Sequence, residues 1–296
     1  MKLPFFLKKP SGLHRLEIAR VISSFYGGVH RSVLGGKGSE FKNFRPYDPS
    51  DNLRVIDWPT SAKISENPEL EPVSRVYNPE LQISVVLAVD LSPSMGHPFK
   101  KFETAFELLW LFFMSAFRYR DRARVIFFAD ASLTDSVWMF DESASELFMK
   151  KNFRIGEKTS GRPISDLARH VGGMNLYDAL FVIISDFSFD SQNEAGLLRR
   201  LDFQKRNIKG LAFRLDEWAG FNPVKHGVLL KDPESGEILS ADLRRNSSLS
   251  KTAEKSGRLS KDIALSLRPS GFSFINLPLA ADPITRAGQE LSKIIA

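Results

Sequence analysis

The pattern of apolar and polar positions divides the chain near residue 80. Before that point, Leu13, Leu16, Ala19, Ile22 and Phe25 recur at helical spacing, with Ser11 as a capping residue ahead of them and Gly27 and Gly28 behind. This predicts one amphipathic N-terminal helix. Residues 30–79 are rich in Pro, Gly, Asp and Asn, with β-prone pieces at 54–58 and 70–77, and read as an irregular, partly β lead-in segment.

From residue 81 the pattern becomes regular. Residues 81–90 (LQISVVLAVD) form a nearly continuous apolar run that ends in an acid, as expected of a parallel strand buried on both faces. Residues 102–118 are an almost wholly apolar helix that must lie against that strand. Further strands are predicted at 124–129, 137–140, 179–185 and 208–215, and helices at 144–151, from 166, and at 194–205. Residues 226–230 and 237–242 flank Asp-Pro-Glu-Ser-Gly and read as a hairpin around a tight turn. Helices at 246–264 and 283–295 close the chain. Strands and helices alternating at these lengths predict an α/β fold with a doubly wound, mostly parallel sheet over residues 80–296, preceded by the N-terminal helix and lead-in of residues 1–79.

Composition narrows the chemistry. The chain has 296 residues, 43% hydrophobic and 26% charged, and no cysteine. That is the profile of a globular domain, in which any metal must be held by oxygen or histidine. The net charge of +6 is accounted for by residues 1–39, where Lys2, Lys8, Lys9, Arg15, Arg20, Arg31 and Lys37 face Glu17 alone. Such a head reads as a solvated terminus, or else as a contact with an acidic partner or, peripherally, with an anionic membrane surface. No zinc finger, RNP-like motif or KH loop points to nucleic acid. The opening apolar stretch is stopped by Lys8 and Lys9, and the run at 105–117 is too short to span a bilayer, so a cytoplasmic location is expected.

In an open doubly wound sheet, ligands bind at the carboxyl ends of strands. Asp90 ends the first strand, and Asp90-Leu-Ser-Pro-Ser94 spaces a carboxylate and two hydroxyls so that alternate side chains can face one point. Such oxygens suit a hard cation, Mg²⁺ or Mn²⁺, although Asp and Ser also serve ordinary turns and caps. Asp186 ends the strand at 179–185 and either joins the same site or caps the next helix. The lead-in segment gathers Arg45, Tyr47, Asp51, Arg54, Asp57 and Trp58, a set of opposite charges and aromatics that either holds the segment on its domain or presents a partner surface.

Two stretches resemble known families. DLSPSM is similar to the metal-ion-dependent adhesion site of von Willebrand factor type A domains, which runs D-x-S-x-S, then a distant Thr, then a distant Asp. Gly38-Ser39-Glu40-Phe41, continuing through Arg45, Tyr47, Asp51, Arg54 and Ile56-Asp57-Trp58, resembles the signature of the domain of unknown function 58 family, and the 231–236 turn also fits. The resemblance implies a von Willebrand factor A-like domain whose metal ligands are Asp90, Ser92, Ser94 and Asp186. Where the family usually has Gly-Thr-Asp-Leu, this chain has Ile164-Ser165-Asp166-Leu167, so Ser165 takes the place of the threonine, with Thr159 or Ser160 as substitutes. Ser50, Lys63, Asn78 and Leu81 are further departures and mark a divergent subgroup.

The function the resemblance implies is a metal-dependent protein-binding module, an adaptor acting with a MoxR-type AAA+ ATPase or its client. The alternative is a metal-dependent hydrolase using the same Asp and Ser residues. No G-x-S-x-G elbow, HExxH helix or GxxxxGK[ST] loop supports catalysis. The loop DLSPSM is not the Gly-rich turn of a dinucleotide site. The five histidines, His14, His30, His97, His170 and His226, are scattered singly.

Overall fold

The computed structural model describes residues 41–48, 56–64, 72–77, 83–129, 132–155, 163–188, 203, 206–217, 228–231, 238–241, 247–279 and 282–295. The helices expected around 11–25 and at 194–205, and the 232–236 turn, lie outside these described residues, apart from Phe203.

The strands Ser84–Asp90 (β3) and Ala179–Ser185 (β6) are buried at every position, the outcome expected of apolar runs in the middle of a parallel sheet. With Arg122–Ala129 (β4), Ser132–Asp135 (β5), Ile208–Asp216 (β7) and Phe272–Pro278 (β10) they form one six-stranded sheet in the order β10-β7-β6-β3-β4-β5. All neighbours are parallel except the β4–β5 pair. The chain leaves β3 toward β4 on one side and later resumes at β6 on the other. The boundary between β3 and β6 is therefore the topological switch point, where loops diverge and open a crevice.

Side chains alternate across this sheet. Val85, Leu87, Val89, Val125 and Val182 pack on one face against the helices Phe99–Arg118 (α2), Glu142–Asn152 (α3) and Pro283–Ile295 (α6). Val86, Ala88, Ile126, Phe181 and Ile183 pack on the other, against Pro163–Gly173 (α4) and Ser247–Leu267 (α5). Each fully buried Leu, Ile or Phe contributes about 1.5–3 kcal/mol, so both apolar faces must be covered and three layers result. Gly210 on β7 fits this packing closely. A Cβ there would meet the Phe272 ring at 2.7 Å, and that ring is already wedged against Phe203 and Phe181.

The lead-in segment pairs Phe41–Pro46 (β1) with Val73–Tyr77 (β2), antiparallel, and Val228–Lys231 (β8) pairs with Ile238–Ala241 (β9) as the expected hairpin arms. Two expectations are corrected, and one strand, β10, was not foreseen. Of the strand expected at 54–58, the described residues 56–58 give an isolated bridge at Ile56, because Asp57 accepts the Thr60 amide at 3.1 Å and starts the helix Trp58–Ile64 (α1), where Pro59 is tolerated in the first turn. The segment expected as a strand at 137–140 gives an isolated antiparallel bridge, Met139 to Ala123 of β4, with Val137 and Phe140 largely exposed, and the regular pairing with β4 is made by the polar Ser-Leu-Thr-Asp of β5. Finally, β10 lies between the two closing helices. Its Ser273, Asn276 and Pro278 break the apolar pattern of this edge strand, which is only alternately buried.

Candidate metal centre

The carboxyl ends of β3 and β6 bring the predicted acids together. One step beyond the last paired residues, Val89 and Ile184, Asp90 lies beside Ser185, whose hydroxyl donates to Asp90 Oδ2 at 2.6 Å. The other carboxylate oxygen accepts the Ser92 amide at 2.9 Å, which folds the loop back over the strand end as an Asx turn. Pro93 then opens a short 3-10 turn, Pro93–Gly96. The turn holds the Ser92 and Ser94 hydroxyls 3.0 Å apart. Asp90, Ser92, Ser94 and Ser185 are all buried.

Asp186 closes the cluster from the β6 side. Its Oδ1 accepts the Ser188 hydroxyl at 2.6 Å and the Ser188 amide at 3.1 Å, and that hydroxyl also lies 2.9 Å from Ser94 Oγ. A chain of oxygens therefore runs from Ser92 through Ser94 and Ser188 to Asp186. Between Asp186 and Ser188, Phe187 takes a left-handed backbone (φ 52°), costly for a residue with a Cβ. Complete burial of its ring offsets this cost and keeps the two polar neighbours on the crest.

Sequence reasoning did not single out Lys101. Its ammonium is buried and donates to Asp186 Oδ2 at 2.8 Å and to the Ser94 carbonyl at 3.2 Å, and it pairs with Glu217 at 3.1 Å. The signal lay in the first turn of α2, which carries Lys100 and Lys101 and no acid, although the helix dipole disfavours cations there. Beyond Lys101 lies a cavity of about 270 Å³. Along its wall, buried Arg214 pairs with Asp216 at 2.9 Å, and Ser256 of α5 links both, at 2.8 and 2.9 Å. Ser185, Ser188, Arg214 and Glu217 were likewise not singled out in the sequence, because contacts between distant strand ends leave no local pattern.

The two acids are electrostatically unequal. Burial, and then the negative charge of Asp186, push the Asp90 carboxyl up to about 7, against the pull of its hydrogen bonds. Burial pushes Asp186 upward too, but the adjacent Lys101 charge and the hydrogen bonds from Lys101 and Ser188 outweigh it, and Asp186 is held below the ordinary carboxylate range. Lys101 is raised in turn: burial lowers it, and Asp186 and Glu217 more than compensate.

Of the residues predicted to ligate a metal, Asp90, Ser92, Ser94 and Asp186 are brought together. Ser165 lies half-buried in the first turn of α4, and no hydrogen bond among the described residues joins it to the cluster. Thr159 and Ser160 lie outside the described residues. No group of three or more His, Asp or Glu side chains placed to hold a metal occurs among the described residues, so a cation here would rest on carboxylates and hydroxyls. In the lead-in segment, Asp57 is a buried cap, Trp58 is 59% exposed, Arg45 is exposed and Tyr47 half-buried; Asp51 and Arg54 lie outside the described residues.

The fold and its crest define a mixed α/β protein with a mostly parallel six-stranded sheet, helices on both faces, and a buried acid-and-hydroxyl cluster at the switch point. The chain belongs to the family described as protein of unknown function DUF58, which it matches over residues 43–261. Among solved structures it is similar to the conserved hypothetical protein BatB from Bacteroides thetaiotaomicron, at 11% identity, with 72% of this chain and 98% of that chain covered and a TM-score of 0.41. No curated protein matches it. No helix among the described residues is long and apolar enough to cross a membrane.

Proposed function

We propose that the crest is a divalent-cation site of the von Willebrand factor A type, through which the protein holds a protein partner. The observation that carries this reading is the state of Asp90: a fully buried carboxylate, converging with the Ser92 and Ser94 hydroxyls, that enters no ion pair among the described residues. Burial without a counter-charge is costly, and a cation supplies that charge. Oxygen-only donors suit Mg²⁺ or Mn²⁺. Asp90, Ser92 and Ser94 would hold the ion, with Asp186 beside them and a hydroxyl from Ser165, Thr159 or Ser160 as the further ligand that the family pattern implies. The ion would offer an electrophilic point to a carboxylate of the partner.

The partner class follows from the resemblance to the domain of unknown function 58 family: a MoxR-type AAA+ ATPase or its client, with this chain as adaptor. The test is affinity capture with purified protein in Mg²⁺ and in EDTA, alongside the Asp90→Ala/Ser92→Ala variant. The expected result is an ATPase of that class recovered only by the parent protein in Mg²⁺. The same proteins recovered under all conditions would move the binding surface to the lead-in segment around Arg45 and Trp58.

A further inference from the structure

Lys101 is out of place by every local rule. It lies in the first turn of α2, where the helix dipole repels a cation and no acid of the same turn relieves it. Its side chain is only 5% exposed, although burying an ammonium costs several kcal/mol unless its partners repay it. The partners come from three separate strand ends: the Ser94 carbonyl of the loop after β3, Asp186 after β6, and Glu217 after β7. Among the described residues, Lys101 is the cation that ion-pairs with Asp186 and Glu217; Arg214 pairs with Asp216 and reaches Asp186 at its backbone carbonyl, at 3.3 Å.

We infer that Lys101 is a built-in cation of the crest, which competes with a divalent ion for the charge of Asp186 and so sets how tightly the crest binds one. The inference rests on reading the crest as a cation site, and it assigns Lys101 as a positioning residue. Its two carboxylate partners differ in a way that makes this workable. Asp186 is buried at the centre, whereas Glu217 is 28% exposed at the cavity. The flexible lysine chain can release Asp186 to an arriving cation while its ammonium stays paired with Glu217. Glu217 is thus the residue that lets Lys101 yield.

Two substitutions are then expected to act in opposite directions. Lys101→Met takes the paired ammonium away from Asp186 and Glu217 and tightens Mg²⁺ binding by about tenfold or more. Glu217→Gln removes the alternative partner, ties Lys101 to Asp186, and weakens Mg²⁺ binding about threefold to tenfold. The experiment is calorimetric titration of the full chain with MgCl₂, repeated with MnCl₂ and paramagnetic detection, together with melting curves in EDTA and in saturating Mg²⁺. Lys101→Met is expected to melt lower than the parent in EDTA and to recover more than the parent gains when Mg²⁺ is added.

The outcomes separate the two readings. Tighter binding by Lys101→Met than by a parent that also binds supports both. Binding by Lys101→Met alone supports the role of Lys101 and overturns the divalent site of the parent, whose cation is then the lysine itself. Equal affinities, with the same stability loss in EDTA and in Mg²⁺, leave the metal reading intact and overturn this one, since a merely structural lysine behaves in that way. Binding by neither protein overturns both. Should Lys101→Met fail to fold in EDTA, folding on addition of Mg²⁺ supports the inference. If it folds in neither condition, Glu217→Gln decides, and unchanged affinity in that variant overturns the inference.

Discussion

The hydroxyl of Ser185, at the end of β6, donates to Asp90 Oδ2 at 2.6 Å across the switch point. The same oxygen accepts the Phe187 amide at 2.8 Å. One side chain thus ties the first acid of the crest to the backbone turn that presents the second. Ser185→Ala removes both bonds inside a fully buried site and is expected to cost about 1–3 kcal/mol. Urea denaturation in EDTA checks this, and a change under about 0.5 kcal/mol, the range of ordinary surface substitutions, would show that the bond does not organise the crest.

Metal-free stability is expected to depend on pH through Asp90. Its carboxyl titrates at about 7 in the fold and near 3.8 ordinarily. Between those values the folded protein holds a proton that the unfolded chain has lost, so stability falls as pH rises through this window and levels off above it. Asp186 is shifted the other way. Its contribution is complete above its unfolded value and is lost only as pH falls below it, outside that window. Denaturation midpoints from pH 4 to 8 should decline with a slope that Asp90→Asn flattens; an equal slope in the variant would assign the effect to other groups.

If the crest binds a divalent cation only when folded, Mg²⁺ at about a hundredfold excess over its Kd adds about 2.7 kcal/mol. For a domain of this size that raises Tm by roughly 5 °C or somewhat more. Asp90→Ala is expected to remain folded, since it removes one of two buried acids that repel each other, and to lose the Mg²⁺ response. Calorimetric scans with and without EDTA measure it, and equal shifts in both proteins would remove Asp90 from the site.

Gly210→Ala probes the sheet behind the crest. The added methyl would lie 2.7 Å from the Phe272 ring, which cannot retreat because Phe203 and Phe181 pack against it at centroid distances of 5.1 and 6.2 Å. Overpacking of this kind costs about 1–3 kcal/mol. Pairing it with Phe272→Leu should recover part of the loss in thermal denaturation; purely additive losses would place the strain elsewhere.

The sequence by itself determined the architecture wherever burial is two-sided. In β3 and β6 every residue is buried, so the apolar run and its terminal acid were visible without any knowledge of neighbours. The apolar helix α2 was legible for the same reason. Asp90, Ser92 and Ser94 were legible because they are local, three side chains on five consecutive residues. Edge elements were not. Ser132–Asp135 and Phe272–Pro278 carry polar residues on their open sides, and their strand character comes from pairing with β4 and β7. Only the tertiary structure could decide that Asp186 meets Lys101, and that Glu217 and Ser188 join them. These contacts join residues that are 85 and more positions apart in the case of Lys101. Charge pairing at the crest depends on which strand ends the sheet order places side by side, and that order is set by packing the whole core, not by any segment's own pattern.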